Sequence, residues 1–341
     1  MLQNLTSESY LTTHHYRVTV PNLNVAVLGA PDYSRGLGKK STTSDVTFYD
    51  LKQGDATVSM VEPTKYPEKL ASLFFATSLA DVAVVVVDQI GAALGETIVM
   101  LDCLGVKRGY LVLRNFITEE QVAPLTTGTA LEGYKVAEDD PRRLREELMA
   151  AAKGSPSENR GDSDKVGSVS VDHYFDVKGV GTVVLGTVVD GVIRKHGQVK
   201  ALPRGDAAEI RSIQKHDDDF ETASRRDRVG LALKGVSVDA LDRGTVISDD
   251  PGLVCRHDFS GQAHLVRYWQ SPVTEGMVVH LGHWMQFEPA RVEAIDAAGD
   301  WRNPKLSLKL QKDLVYRKGA KAVITHLEGV KLRVMGVLDL D

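Results

Sequence analysis

The feature that most constrains this chain is a change of pattern at residues 154–164. Gly154–Asp164 (GSPSENRGDSD) holds no apolar residue and has the composition of a linker. Whatever precedes it and whatever follows it must therefore bury separate cores. Before it, Val25–Leu28, Val82–Val87 and Tyr110–Leu113 are short continuous apolar runs, as expected of strands covered on both faces of a parallel sheet. Gly95–Leu104 carries Ile98, Val99, Leu101 and Leu104 at the spacing of a crossover helix. Asp139-Asp140-Pro141 starts another that runs through Arg142–Ala152. This is α/β order, with ligands expected where the strands end.

After the linker the period becomes that of strands. Thr182–Val189 is almost wholly β-branched, and Asp190-Gly191 between Val189 and Val192 reads as a two-residue hairpin turn. Further strands are expected at Gln198–Leu202, Glu209–Lys215, Arg228–Leu233 and Thr245–Ser248. A second run is expected at His264–Trp269, Met277–Leu281, Glu288–Ile295, Lys305–Leu310 and Val330–Leu338, with no strong helix there. Asp249-Asp250-Pro251-Gly252 breaks the two runs, so two small antiparallel β-barrels fit better than one large one. The expected organisation is an α/β phosphate-loop type domain at 1–160, a barrel at 161–251 and a second barrel at 252–341.

A length of 341 residues agrees with two or three domains, and 43% hydrophobic with 26% charged residues excludes disorder as the dominant state. No apolar run is long enough to span a bilayer, and residues 1–20 lack a signal-peptide pattern. Cys103 and Cys255 are too few for a disulfide scaffold or a cysteine zinc cage. A cytoplasmic protein with no membrane partner is expected. The net charge of −5 argues against a generic nucleic-acid binder, DNA included. The charge is uneven, however: residues 1–160 carry 16 basic and 20 acidic side chains, 161–251 carry 13 and 16, and 252–341 carry 12 and 10. Only the last part is net positive, which permits an RNA surface there.

Val25-Ala26-Val27-Leu28-Gly29 resembles a first strand entering a phosphate loop. A working loop is G-x-x-x-x-G-K-[ST], with backbone N–H groups around the phosphates and a hydroxyl on magnesium. Counted from Gly29, the second glycine is Ser34, the lysine is Arg35 and the hydroxyl is Gly36. The alternative Gly38-Lys39-Lys40-Ser41-Thr42 fails because Tyr33, not glycine, lies five residues before Gly38. The helix that should follow is missing, since Asp45–Asp50 already reads as a strand. A retired or structural loop is the better reading.

The strand section also carries a family pattern. Phe175–Val188 (FDVKGVGTVVLGTV) resembles the start of domain two of translational GTPases, where V-x-G-x-G-T-V-V-x-G recurs. Asp190–Arg194, Ile210–His216, Val229–Val236 and Leu241–Ile247 continue the resemblance in order. The lysine of V-K-G and the Ser-Ile-Gln run lean towards the SelB-like branch of the elongation factor Tu superfamily, and to its archaeal paralogues. The resemblance implies one GTPase-type domain followed by two β-barrels, and it locates the GTPase motifs. The γ-phosphate-sensing D-x-P-G-H falls on Glu62-Pro63-Thr64-Lys65-Tyr66, so the family's catalytic histidine is Tyr66, a neutral phenol. The guanine-reading N-K-x-D falls at Arg114–Ile117 or Asn115–Thr118, without its aspartate. Thr47 aligns weakly with the magnesium-holding switch threonine. The nucleotide-binding positions implied are thus Gly29, Ser34, Arg35, Thr47, Glu62 and Asn115, all in degenerate motifs. GTP binding and hydrolysis are expected to be lost, with no catalytic residue, metal or cofactor. GTP with magnesium belongs only to the alternative of a divergent, active GTPase delivering a specialised aminoacyl-tRNA.

The implied partners are aminoacyl-tRNA or the ribosome. The family's stacking glutamate falls on Gln214, with Arg211 and His216 close by. Strand alternation gives Gln214 and His216 a common face that would suit a single-stranded RNA end; a plain polar strand face is the competing account. The arginine of the family's G-R-G-T element is Val180 here. The densest basic run contains Lys305, Lys309, Lys312, Arg317, Lys318 and Lys321, from which Lys312 and Lys318 are expected on the tRNA stem. Arg225-Arg226-Asp227-Arg228 reads as a solvated loop. His216–Asp219 lacks the spacing of a metal site, and His280-x-x-His283 lacks the glutamate of a zinc hydrolase. A protein-binding scaffold that has lost RNA is the remaining alternative.

Overall fold

The computed structural model describes residues 21–154 and 165–341. Positions 155–164 of the expected linker, and the adjacent His14 and His15, lie outside them. The first unit is built from β1 (Asn22–Leu28), β2 (Lys39–Thr43), β3 (Val46–Gln53), β4 (Ala56–Pro63), α1 (Leu70–Thr77), β5 (Val82–Val87), α2 (Ala92–Leu104), β6 (Gly109–Leu113), α3 (Glu119–Thr126), β7 (Lys135–Ala137) and α4 (Pro141–Lys153). Its sheet runs β2-β3-β4-β1-β5-β6-β7. The strands from β4 through β7 are parallel and the β2–β3–β4 edge is antiparallel. All residues of β1 and β5 are buried, as a strand covered on both faces requires.

One face packs against α1, α2 and α3 through Leu73, Phe74, Met100 and Leu101. The other is covered by α4 alone, through Leu144, Leu148, Met149 and Ala152, together with Leu37 and Tyr49. Asp140 caps α4, its side chain accepting from the Arg142 N–H at 2.8 Å. No helix follows β1 among the described residues. A single 3-10 turn at Tyr33–Gly36 leads instead into the edge strand β2.

The second unit comprises β8 (Ser168–Val177), β9 (Gly181–Asp190), β10 (Val192–Arg194), β11 (Gln198–Leu202), β12 (Asp206–Lys215), β13 (Asp218–Phe220), β14 (Thr222–Ser224), β15 (Arg228–Lys234) and β16 (Val246–Ser248). Six strands close in the order β11-β16-β8-β9-β15-β12, with β12 pairing back to β11. Asp190-Gly191 is not the expected hairpin. Gly191 does take a left-handed φ of 58°, but β10 pairs with β14 rather than folding back on β9. The turn therefore redirects the chain across the barrel end.

The third unit is a closed six-stranded barrel, β17 (Leu253–Leu265), β18 (Val278–His283), β19 (Gln286–Asp296), β20 (Lys305–Arg317), β21 (Ala320–Thr325) and β22 (Val334–Leu340), ordered β17-β20-β19-β18-β21-β22. The strand expected at His264–Trp269 lies earlier, ending at Leu265, because Trp269 turns into the barrel core from a loop.

The three units are locked together. Gly282 on β18 meets the Phe74 ring so closely that any Cβ would collide with it. Phe287 packs tilted against Phe74 and edge-on to Phe75 at ring-centroid distances of 5.3 and 6.1 Å. Arg333 reaches Glu96 on α2, with both side chains largely buried. Arg226 pairs with Asp81 at 2.7 Å, tying the second unit to the first.

Candidate functional site

The loop after β1 is positioned by Gly29, whose φ of 94° and contact with the Val86 carbonyl admit no side chain. That requirement comes from packing on β5. The amides beyond it face inward. Leu37 and Gly38 both donate to the Ser34 carbonyl at 2.9 Å, and Arg35 donates to that of Asp32 at 3.1 Å. The Ser34 N–H donates to the Glu62 Oε1 at 2.5 Å. Glu62 comes from the end of β4 and is 4% exposed; burial raises its pKa, and the Ser34 contact works against that rise. Arg35 turns outward to pair with Asp32 at 3.0 Å. Thr47 is buried on β3, in register with Glu62.

Lys65 and Tyr66, after Glu62, are also occupied. Lys65 pairs with Asp45 at 2.7 Å, and Arg243 of the second unit reaches the same carboxylate at 3.3 Å. The Tyr66 hydroxyl donates to the Ala93 carbonyl at 2.8 Å. Its pKa is driven up by burial and then by Glu96, so it stays a neutral phenol. Tyr66 thus anchors the start of α2 beside the Glu96–Arg333 pair.

Between these segments lies a cavity of about 410 Å³ at the carboxyl ends of β1, β4 and β5. Its wall includes Gly29, Pro31, Glu62, Tyr66, Asp88 and Thr97, and it contains no Lys, Arg or His. At the expected guanine-reading position, the Asn115 amide donates to the Asp88 carbonyl at 2.9 Å from a backbone φ of 54°. Arg114 bridges Asp88 and Asp139 at 3.3 and 3.0 Å, and the Tyr33 hydroxyl reaches Asp139 at 3.0 Å. Asn115 does not line the cavity that Gly29 and Glu62 line.

Glu62 as an internal acceptor carries a prediction. Glu62→Ala should destabilise the protein by about 1–3 kcal/mol, because the Ser34 N–H is left buried without a partner. Glu62→Gln keeps an acceptor oxygen and removes a buried charge, so its urea midpoint should stay within experimental error of the wild type or rise. A midpoint for Glu62→Ala equal to that of Glu62→Gln refutes the assignment.

A larger cleft, about 790 Å³, lies between the first and second units. Gln214, His216, Arg228 and Gly230 form one wall, and Arg35–Ser41, Asp50 and Lys52 form the other. Gln214 and His216 do meet at this cleft, but not through strand alternation. His216 has a φ of 49° and has left β12, which ends at Lys215. Gln214 is exposed and donates to Asp219 at 3.0 Å. His216 is half-buried 3.9 Å from Asp50, and burial lowers its pKa. Arg211 is exposed but does not line the cleft.

Arg225–Arg228 is not the solvated loop expected from its charges. Besides the Arg226–Asp81 pair, Lys215 meets the buried Asp227 at 2.8 Å, and Arg228 clasps the buried Asp172 with two nitrogens. Sequence reasoning missed Arg228 because its partner lies 56 positions away. The C-terminal basic run is likewise divided. Lys312 pairs with Asp242 at 2.8 Å, Arg317 with Asp190 and Asp250, and Lys321 with Asp339. Lys312 therefore joins the two barrels, whereas Lys318 is exposed in the turn after β20.

Known proteins share this geometry. Residues 181–248 match the model of elongation factor Tu domain 2. An uncharacterized protein of Methanocaldococcus jannaschii is 33% identical over 302 residues, covering 88% of this chain and 93% of that protein. The selenocysteine-specific elongation factor of the same organism is 23% identical, covering 92% of this chain and 74% of that factor. An elongation factor 1-alpha of Aeropyrum pernix is 30% identical over 49% of this chain and 38% of its own length. The translation elongation factor SelB of Methanococcus maripaludis, solved with the GTP analogue GppNHp, superposes with a TM-score of 0.79 at 20% identity, over 95% of this chain and 80% of that one. The chain accordingly belongs to one family with the uncharacterized methanogen protein, and it fits a distant homologue of SelB in the elongation factor Tu superfamily.

Proposed function

We propose that this protein is a SelB-like translation-factor homologue that engages tRNA or the ribosome without a GTP cycle of its own. The observation that carries the proposal is the filled phosphate loop. Within it the Arg35 amide donates to the Asp32 carbonyl and the Ser34 amide to the Glu62 carboxylate, and directly after it the Leu37 and Gly38 amides donate to the Ser34 carbonyl. A phosphate needs those donors free and aimed at it. The neighbouring cavity adds no Lys, Arg or His to balance a triphosphate. Gly36, at the position of the metal-binding hydroxyl, has no ligand atom in its side chain. These residues do not fit a guanine nucleotide, and Tyr66 cannot serve as the water-orienting imidazole while it holds α2.

The RNA side of the proposal rests on family membership and on the interdomain cleft. Gln214 and His216 stand at its wall, and a neutral imidazole and an amide can stack on or hydrogen-bond to an unpaired base. Titration with a fluorescent guanine nucleotide in magnesium should show no saturable binding. A dissociation constant below about 1 μM, equivalent to about −8 kcal/mol, overturns the loss of GTP binding. Native purification followed by sequencing of associated RNA should recover tRNA or ribosomal RNA, with retention falling steeply as salt rises. Recovery of protein partners alone favours the scaffold reading.

A further inference from the structure

We propose that the groove left where the helix after the phosphate loop is missing is a binding track for a single-stranded RNA phosphodiester chain. The proposal rests on the reading above that this protein engages RNA. It goes beyond it in assigning a surface that exists only because of this chain's own shortened loop.

The 790 Å³ interdomain cleft does not end at the second unit. A further cavity of about 390 Å³ shares Leu51, Lys52 and Arg145 with it and continues between β3 and α4, past Arg142 and Met149. The two form one trough along the sheet face that α4 alone covers. A conventional phosphate-loop helix would pack on this face and close it. Here residues 33–43 make one turn and the edge strand β2, and the trough stays open.

Its charge is distinctive. Lys39 and Lys40 on β2 and Arg142 and Arg145 on α4 are all exposed, and none has an ion-pair partner among the described residues. Lys52 lies between them on β3 and pairs with Asp218 at 2.8 Å. The acidic side chains in the trough are Asp50, Asp217 and Glu146. Four unpaired cations from two elements thus border a trough whose opposite end holds Gln214 and His216. By contrast, the cavity at the strand ends holds no cation at all. Lysines on an exposed edge strand also discourage pairing with another chain. That role leaves Arg142 and Arg145, on a helix, without an explanation.

An extended chain of phosphates meets this arrangement better than a compact anion does, because the cations line a track instead of converging on a point. Bases at one end would reach Gln214 and His216, as in single-strand binders that pair a basic groove with flat polar or aromatic groups. Double-stranded stems are too wide for a trough one helix broad.

The test is a filter-binding or fluorescence-anisotropy titration of the full chain with an unstructured RNA oligonucleotide and with deacylated tRNA, over a salt series. The variants are Lys39→Glu/Lys40→Glu and Arg142→Glu/Arg145→Glu, with Lys107→Glu/Lys135→Glu as a matched control away from the trough. Each trough variant should weaken oligonucleotide binding roughly tenfold or more and flatten the salt slope, by about 0.7 for each phosphate no longer neutralised. The control should bind like the wild type. Wild-type binding with both trough variants unchanged in affinity and salt slope overturns the groove and leaves the RNA reading standing. No binding of either RNA by the wild type overturns both.

Discussion

Arg228→Met is expected to lower the unfolding free energy by about 3–5 kcal/mol, the cost of leaving a buried charge without its partner. Arg228 is the most enclosed cation of the interdomain wall. It holds Asp172 through two nitrogens, and its guanidinium lies 3.6 Å from the centre of the Phe48 ring. Asp172 is 3% exposed, and its second partner is His173 at 2.7 Å. Burial alone would raise the Asp172 pKa, but Arg228 and His173 outweigh burial and hold it below the ordinary carboxylate value. With Arg228 gone only His173 opposes burial, so the variant must either hold a poorly compensated dry carboxylate or protonate it at a cost in stability. Arg228→Met/Asp172→Leu removes both charges and should recover most of the loss, since replacing both partners is far less destabilising than breaking the pair. Urea denaturation at pH 7 measures both. A single-variant loss under about 1 kcal/mol, or a double variant no better than the single, excludes this account. Because Phe48 belongs to the first unit, the single variant should also loosen the interdomain contact, read as faster limited proteolysis of the folded chain.

The second large effect is acid sensitivity centred on His283. The ring is buried in the third unit, with Nδ1 2.9 Å from the Lys321 carbonyl and Nε2 buried without a partner. Burial lowers its pKa to about 4, against about 6.5 for an unfolded histidine. Between those values the unfolded chain binds a proton that the folded chain refuses. Stability therefore falls as pH drops from about 6.5 to about 4, by about 3 kcal/mol in total. His280, lowered by burial and by the nearby His326, acts in the same direction. Glu62 and Glu288 act oppositely, because burial raises both and protonation relieves them as pH falls. Comparison with His283→Gln separates the contributions, since an amide can still donate to the Lys321 carbonyl and does not titrate. The variant's stability should be much flatter between pH 6.5 and pH 4. Parallel curves for the two proteins would exclude His283 as the sensor.

Much of the fold was legible because its signals are local. The Val82–Val87 run is β5 to the residue, and Gln198–Leu202 is β11 to the residue. The absence of a helix after β1 followed from the strand pattern at Asp45–Asp50. The edge strand β2, the strand β4 and the helices α1 and α3 were not read. β2 and α3 are poor in apolar residues, whereas α1 and β4 are apolar but only eight residues long, too short for periodicity to separate helix from strand. The hairpin expected at Asp190-Gly191 failed for a different reason. The dipeptide dictates a bend, but β14, some thirty residues later, decides what β10 pairs with.

The candidate site divides along the same line. The sequence by itself determined that residues 29–36 do not spell G-x-x-x-x-G-K-[ST] and residues 62–66 do not spell D-x-P-G-H, because those patterns are defined by residue type at short spacing. It also determined the SelB-like barrel through the ordered blocks from Phe175 to Ile247. Only the tertiary structure decided what the altered residues do instead. Glu62 meets the Ser34 amide from 28 positions away, Arg228 meets Asp172 from 56, and Lys312 meets Asp242 from 70. The trough between β2 and α4 joins residues a hundred positions apart. A carboxylate or a cation acquires its role from the charge beside it once water is excluded, and which charge that is depends on chain closure over distances that no local pattern encodes.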